Sequence, residues 1–309
     1  MRKPAILAAV FVALAAAGAI VLMVRPARTQ QSTTTLTVGI YAPSVEFANA
    51  QARLQYVQGL AKAIESATGV KTSAQAFASL SALRKGGVDY AIVDGQCYAT
   101  NQSWKLVANA NIGGGTTRNW ALYSSVGSDM KSLEGKKLAF VQTGCNDNGF
   151  IDNAMLESEV SSGFFAGRVG KPDITAAVAE VVSYKGAQAV FAPVGSQKGL
   201  TKVFDTGAVP NPAFVQLNTK VPSATASKVE SAVTGFGGGG AISSWSSASK
   251  SPYSSLAGRM GKSVKKGVFA APDPVRFDAK DVLIEPTTLD DTAVTDVKQH
   301  FERPPVRME

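Results

Sequence analysis

The sequence has almost no histidine, and this scarcity removes several kinds of chemistry. The single histidine among the 309 residues is His300, in a polar C-terminal stretch. Histidine is the side chain that most often moves protons near neutral pH, and it is a common metal ligand. The chain also lacks a nucleophile-elbow serine motif and any zinc-type ligand spacing. The sequence therefore argues against an enzyme and predicts neither a metal nor another cofactor.

Positive charge is in excess, but the basic residues are not clustered. The formal net charge is +8, and the lysines and arginines are spread along the chain without a long basic stripe. A nucleic-acid surface usually shows basic clusters interleaved with aromatic residues. The pattern therefore predicts a solvated basic surface and no nucleic-acid partner.

The one long apolar run is at the N-terminus. Met1-Arg2-Lys3 is charged, residues 4–24 are apolar or small, and Arg25 ends the run. Such a segment is typical of a secretory signal, and it also reaches the length of about 20 residues that can span a bilayer. A cleaved signal and an uncleaved inner-membrane anchor both remain open. Either one sends the rest of the chain across the membrane, so we expect a periplasmic protein that contacts membrane only through residues 4–24.

After a polar tether, strand patterns and helix patterns alternate. The first series has strands near 35–41, 71–77 and 88–93 with helices near 48–67 and 79–85. A second series begins at Leu138, with a helix over 150–160. Such alternation predicts an α/β fold with mostly parallel sheets flanked by helices. The glycine- and serine-rich residues 235–240 and 243–255 are predicted to be loop, and the chain beyond Lys280 to be loosely ordered.

Two polar loops follow predicted buried strands. Residues 143–149 separate the strand 138–141 from a helix start, and residues 39–50 have the same arrangement earlier in the chain. A strand followed by a polar loop and a helix start offers free backbone N–H groups to an acceptor-rich ligand. Two such loops suggest a ligand held between two lobes.

The ordered motifs resemble one known family. They are L-T-V-G-I-Y at Leu36, S-A-T-G-V at Ser66, L-R-K-G-G-V-D-Y-A-I-V-D-G at Leu83, S-L-E-G-K-K-L-A-F-V at Ser132 and K-G-V-F-A-A-P-D-P-V-R-F-D at Lys266. The chain resembles the periplasmic solute-binding proteins of phosphate, phosphite and phosphonate ABC transporters, which have the type II periplasmic-binding-protein fold. The resemblance implies two α/β lobes joined by two crossover hinge strands, and a role in delivering a solute to a membrane permease.

The resemblance also implies a division of the chain. Residues 1–35 would be the signal or anchor plus tether, 36–118 and 210–278 the first lobe, 119–209 the second lobe, and 279–309 a polar tail. We expect a monomer. The ligand should lie at the C-terminal ends of the strands, as in other open α/β sheets. The candidate ligand-binding residues at those ends are Tyr41, Glu46, Phe47, Asp94, Gln96, Tyr98, Arg118, Trp120, Thr143, Cys145, Asn146, Asp147 and Asn148.

The second polar loop departs from the family pattern, which has several hydroxyl groups there. Asp147 puts a negative charge where an oxyanion would be expected; it could bind the amine of a zwitterion or act with Asn148 as a helix N-cap. Arg118 could bind a carboxylate or phosphonate, or be an ordinary surface residue. The expected ligand is therefore phosphonate-like or another oxyanion or zwitterion. The aromatic candidates leave open a receptor or sensor for a more apolar, lipid-like ligand.

The two cysteines fall on predicted cleft loops, one in each lobe. Cys97 and Cys145 could form a disulfide in an oxidising compartment, or they could be two separate thiols. The sequence favours separate thiols, because a bond across the cleft would hold the lobes closed.

Overall fold

The computed structural model describes residues 35–195, 197 and 199–261, so the predictions for residues 4–24, 262–278 and 279–309 lie outside it. The strands are β1 (Leu36–Tyr41), β2 (Thr72–Ala76), β3 (Tyr90–Val93), β4 (Lys105–Asn111), β5 (Thr117–Ser124), β6 (Lys137–Val141), β7 (Gly167–Lys171), β8 (Ala189–Pro193), β9 (Thr201–Pro210), β10 (Ala213–Gln216) and β11 (Ser244–Ser247). The α-helices are α1 (Ala50–Thr68), α2 (Leu80–Lys85), α3 (Gly95–Ala99), α4 (Asp147–Gly149), α5 (Ile174–Val182), α6 (Ser223–Thr234) and α7 (Ser251–Met260). A 3₁₀ turn covers Lys131–Leu133, and a π-helical segment, Phe150–Met155, continues α4.

The strands form two mixed sheets, which confirms the two-lobed α/β fold; the sheets are not mostly parallel as predicted, because β4, β5, β9, β10 and β11 pair antiparallel. The first sheet has the order β11-β4-β10-β3-β1-β2, and the second has the order β7-β6-β8-β5-β9. Strands β1, β2 and β3 are parallel, as are β6, β7 and β8. We call the part built on the first sheet the first lobe and the part built on the second sheet the second lobe. The exact domain boundaries given above stay a prediction.

The chain passes twice between the sheets, once between β4 and β5 and once between β9 and β10. The two connections lie side by side, since the Asn211 N–H donates to the Thr116 carbonyl at 2.9 Å. The strand after each connection, β5 or β10, runs antiparallel to its neighbours. The paired connections bring the C-terminal ends of β1, β3 and β6 towards one boundary between the lobes.

Helix α1 shows why the local predictions succeed in this region. Its buried residues follow helical spacing, and they are Tyr56, Val57, Leu60, Ala61 and Ile64. Asn49 caps the start by accepting from the Ala52 N–H at 2.8 Å, and Gly69 ends the helix with φ 72°. Glycine takes this left-handed conformation without a steric penalty, which stops the helix at the predicted place.

Two local predictions were wrong. The helix predicted over 150–160 ends at Met155, because Glu157 and Ser158 adopt left-handed φ values of 51° and 60°. The predicted loop over 243–255 instead contains β11 and the first part of α7, which begins at Ser251. Few apolar residues mark that stretch, but Trp245 and Tyr253 are buried and anchor it to the rest of the molecule.

Helix α7 bridges the two lobes. The Ser254 hydroxyl donates to the Gln102 side chain in the first lobe at 2.8 Å. The Arg259 guanidinium donates to the Ala208 carbonyl in the second lobe at 2.8 Å, and Asn153 donates to the Met260 carbonyl at 3.0 Å. One apolar cluster is therefore continuous from the first lobe through α7 into the second. Within the described residues, no helix is both long and apolar enough to cross a membrane.

The connection between β9 and β10 packs closely against α3 at Gly95. A Cβ atom at Gly95 would overlap the carbonyl oxygen of Pro210, whereas a Cβ at the exposed Gly258 of α7 would meet nothing within 4 Å. We expect Gly95→Ala to lower the free energy of unfolding by about 1–3 kcal/mol, the usual cost of overpacking. Gly258→Ala, the matched control, should raise it by about 0.5–1 kcal/mol through helix propensity. Urea denaturation measures both, and equal effects would contradict this account of the connection.

Candidate functional site

A disulfide joins the lobes where the two cysteines meet. Cys97 on α3 and Cys145 on the loop after β6 are bonded, with their Cα atoms 5.0 Å apart. The favoured expectation of two separate thiols was therefore wrong, and the alternative of a bond across the cleft is the one found. Helix α3 places Cys97 at the C-terminal end of β3, directly opposite the loop that carries Cys145. The separate-thiol expectation assumed lobes that move apart, and the structure has them in contact here.

The Asp147 carboxylate is surrounded by hydrogen-bond donors from both lobes. One oxygen accepts from the Gln96 side-chain amide at 2.9 Å, the Thr143 hydroxyl at 2.6 Å and the Thr143 N–H at 3.2 Å. The other oxygen accepts from the Gly144 N–H at 3.0 Å. We call these donor groups of Gln96, Thr143 and Gly144 the donor cradle. It is an anion-binding arrangement, and the anion in it is part of the chain.

The cradle exists because Asn146, rather than Asp147, caps the helix. Asn146 has a left-handed φ of 57°, and its side chain accepts from the Gly149 N–H at 3.2 Å. This turn directs the Asp147 side chain back towards Thr143. The N-cap interpretation of Asp147 and Asn148 was therefore wrong. The Asn148 side chain faces away and accepts from Arg168 at 3.0 Å.

Further hydrogen bonds cross the boundary beside the cradle. The Tyr41 hydroxyl donates to the Thr143 carbonyl at 2.9 Å, and the Gln96 amide also donates to the Cys145 carbonyl at 2.9 Å. Burial raises the pKa of Tyr41, and the charges of Asp94 and Asp147 add to that rise. The Tyr41 hydroxyl therefore keeps its proton at neutral pH and remains a donor.

A second set of polar contacts, centred on the Asp94 carboxylate, lies on the first-lobe side of the boundary. Asp94 caps α3 by accepting from the Gln96 N–H at 3.1 Å, and it also accepts from the Ser44 hydroxyl and N–H. Burial raises the pKa of Asp94, opposed by those hydrogen bonds and by Arg118.

Arg118 donates to the Asn211 side chain at 2.9 Å and to the Ser44 carbonyl at 3.1 Å. Burial lowers the pKa of Arg118, opposed by Glu46 and Asp94.

Arg118 is thus neither a free surface residue nor a ready clamp for a ligand. Its guanidinium ties the connection at Asn211 to the loop after β1, and it supports the position of Ser44. Ser44 and Asn211 are parts of this arrangement that the candidate residues did not include. The strand-end pattern Asp94-Gly95 was the available signal for a capped helix, but the partners of that cap come from distant segments.

The space left between the lobes here is very small. A cavity of about 10 Å³ lies among Ser44, Asp94, Gln96, Trp120, Phe140, Val141, Thr143, Phe150, Ile151, Phe191 and Val209. We call it the inner cavity. It is about the size needed for one water molecule. The expected gap for a solute is therefore closed at this position.

The remaining aromatic and acidic candidates have different surroundings. Trp120 lines the inner cavity and packs edge-on against Phe150, with ring centroids 6.0 Å apart. Tyr98 is in the core against Tyr253, with centroids 4.7 Å apart, away from the inner cavity. Phe47 is half-buried near the outer edge of the boundary, and Glu46 is exposed. Among the residues described, no cluster of three or more metal-ligating side chains occurs.

Two mixed α/β sheets, two adjacent connections and facing polar loops define a type II periplasmic-binding-protein fold, and solved structures support this. The chain is similar to PhnD1 from Prochlorococcus marinus in complex with methylphosphonate, at 12% identity and TM-score 0.57, covering 72% of this chain and 96% of that one. It is also similar to a binding-protein component of an ABC phosphonate transporter from Pseudomonas aeruginosa, at 10% identity and TM-score 0.57, covering 86% and 97%. A third is XAC2383 from Xanthomonas citri bound to ATP, at 11% identity and TM-score 0.56, covering 73% and 96%.

At these identities the likeness establishes the fold, and the sequence-based resemblance is confirmed at that level. No protein-family model matches the chain. A search of curated proteins also gives no match.

The disulfide should contribute strongly to stability. It joins two cysteines that are 48 positions apart in the sequence. For such a loop, the entropy lost by the unfolded chain predicts a stabilisation of about 4 kcal/mol. We expect the Cys97→Ser, Cys145→Ser double variant to lose about 2–4 kcal/mol of unfolding free energy, measured by urea denaturation. Wild type treated with a thiol reductant is the control and should fall by a similar amount. A variant as stable as the oxidised wild type would contradict a closed pair in the native protein.

The Asp147 carboxylate should stabilise the boundary beyond what a surface carboxylate does. Asp147→Asn replaces an acceptor with an amide that cannot match all four donors, so we expect a loss of about 1–3 kcal/mol. The control is Asp205→Asn, which removes an exposed ion pair with Lys202 and should change the unfolding free energy much less, because solvent screens that pair. Equal losses in the two variants would show that the donor cradle adds nothing.

Proposed function

We propose that this chain is a non-catalytic, exported binding protein that presents two closed lobes to a membrane partner of the ABC-permease type. The proposal rests on the observation that the chain's own groups hold the two lobes together. These groups are the Cys97–Cys145 disulfide and the Asp147 carboxylate. In a hinged receptor, ligand contacts select the closed arrangement. Here a covalent bond and an internal carboxylate take that role, and the protein acts as a monomer.

The packing around the cradle supports this proposal. A cavity of about 10 Å³ has no room for a phosphonate or an amino acid. Admitting either would require the lobes to separate, which the disulfide restricts at the cradle. Separation would also expose the apolar residues shared by both lobes and break the Tyr41 and Gln96 hydrogen bonds. The oxidised protein should therefore remain closed whether or not solute is present.

A second candidate function is solute capture in the cradle for an ABC importer. The donor set favours it, because a Gln amide, a Thr hydroxyl and two backbone N–H groups are what a bound oxyanion needs. A phosphonate-like anion or the acid group of a zwitterion would then replace the Asp147 carboxylate. That exchange requires reduction of the disulfide and withdrawal of Asp147, so this function would belong to the reduced protein.

Titration calorimetry separates the two functions. Oxidised protein, reduced protein and the Cys97→Ser, Cys145→Ser variant would each be titrated with methylphosphonate, phosphate and arginine. The main proposal predicts no saturable heat with the oxidised protein, and a radius of gyration in solution scattering that these solutes do not change. Saturable binding by the oxidised protein, accompanied by compaction, would overturn it. Binding only by the reduced protein and the double variant would establish the second function.

The membrane partner has a separate test. Photo-crosslinking residues would replace the exposed Glu46 in the first lobe and the exposed Gln142 in the second, in the native host. A partner that recognises the closed arrangement should be captured from both positions and identified as a permease subunit. Capture from neither position would contradict the proposed partnership, while leaving the calorimetric result unaffected.

A further inference from the structure

A larger cavity lies at the outer edge of the boundary between the lobes. Its volume is about 320 Å³, and it lies between residues 43–53 of the first lobe and 173–184 of the second. We call it the rim cavity. The Ile174 N–H donates to the Pro43 carbonyl at 3.0 Å and joins its two sides. Unlike the inner cavity, it is within the range of about 300–1,000 Å³ typical of small-molecule sites.

The rim cavity has an apolar and aromatic side. Val45 and Phe47 line it from the first lobe, and Tyr184 lines it from the second. Phe47 is held in place against Tyr56, with ring centroids 5.9 Å apart. Tyr184 is 75% exposed, the most exposed large hydrophobic side chain in the described residues. An exposed aromatic ring beside a formed cavity can cover an apolar ligand without first leaving a packed core.

The rim cavity also has one cationic group available to a ligand. Arg53 lines it, and within residues 35–261 as described the Arg53 guanidinium makes no hydrogen bond and no salt bridge. Asp173 also lines the cavity, and one oxygen of its carboxylate accepts from the Ala176 N–H at 2.8 Å as the cap of α5, so an anion must bind at Arg53 against the charge of Asp173. A guanidinium binds carboxylate and sulfonate groups through paired N–H donors.

We propose that the rim cavity binds a small amphipathic anion. Its carboxylate or sulfonate would pair with Arg53, and its aryl or short acyl body would lie against Phe47 and Tyr184. Helices α1 and α5 both begin at this cavity, and their N-terminal ends add a favourable field for the anion. The site is accessible while the lobes stay closed, so it does not depend on either function proposed above.

The test uses 3-phenylpropionate as the probe and oxidised full-length protein. Titration calorimetry should give saturable binding of 3-phenylpropionate, and much weaker binding of the neutral 3-phenylpropanol and the cationic 3-phenylpropylamine. Arg53→Gln should weaken binding of the carboxylate about tenfold or more, the usual scale of a lost charged hydrogen-bonding partner. Tyr184→Ala should weaken it severalfold by removing apolar contact.

A matched control lies on the same helix. Lys62→Gln also removes one positive charge from α1, but Lys62 is exposed and does not line the rim cavity. It should bind the probe as the wild type does, and thermal unfolding checks that all variants are folded. Absence of saturable binding, equal weakening by Arg53→Gln and Lys62→Gln, or equal affinity for the acid and the alcohol would each overturn the proposal.

Discussion

The arrangement of the two lobes depends on the Asp147 carboxylate and the donors that surround it. Gln96 comes from the first lobe, while Thr143 and Gly144 come from the second, so one side chain satisfies groups on both sides of the boundary. Removing the carboxylate would take this acceptor from the buried Gln96 and Thr143 side chains, whereas the exposed Gly144 N–H could donate to water instead. Unpaired buried donors cost more than a hydrogen bond normally contributes, so these two side chains favour keeping the Asp147 carboxylate in place. The adjacent disulfide holds the participating segments at contact distance.

Closure is also supported away from the cradle. Helix α7 contacts both lobes, and the Tyr253 hydroxyl on it donates to the Asn211 carbonyl at 3.1 Å, on the connection between β9 and β10. Arg118 holds the same Asn211 from the other side, through its side-chain oxygen. A hinge works by changing backbone angles at a few residues of such a connection. Here the connection is fixed by side chains from α7 and β5, so resistance to opening is spread over the cradle, the disulfide and the hinge.

The sequence predicts the fold better than it predicts the state of the site. Periodicity and capping residues are local signals, and they place β1, α1 and the loop before α4 correctly. Helix α7 was missed because its buried residues Tyr253, Leu256 and Met260 lie in a serine-rich stretch whose core partners are distant in sequence. The cradle was missed for the same reason. Asp147 accepts from Gln96, 51 residues away, and no local pattern determines which of several polar residues will meet across a boundary. The two cysteines were predicted to face each other across the boundary, although Cys97 lies on α3 rather than on a loop, and their bonding depends on how closely α3 and the loop after β6 approach.

An internal carboxylate also changes what the cradle can recognise. Asp147 is three residues from Gly144 on the same loop, so any external oxyanion must compete with a tethered group. Tethered groups compete at effective concentrations in the millimolar range or above, and the closed lobes restrict Asp147 further. An oxyanion therefore has a lower apparent affinity for the cradle than its contacts alone would give. Arg53 has no such tethered partner among the described residues, although the Asp173 carboxylate, which caps α5, lines the same cavity. The Asp147 carboxylate occupies the donor cradle, whereas the Arg53 guanidinium makes no hydrogen bond to the described residues. An anion should therefore bind at the rim cavity rather than at the donor cradle.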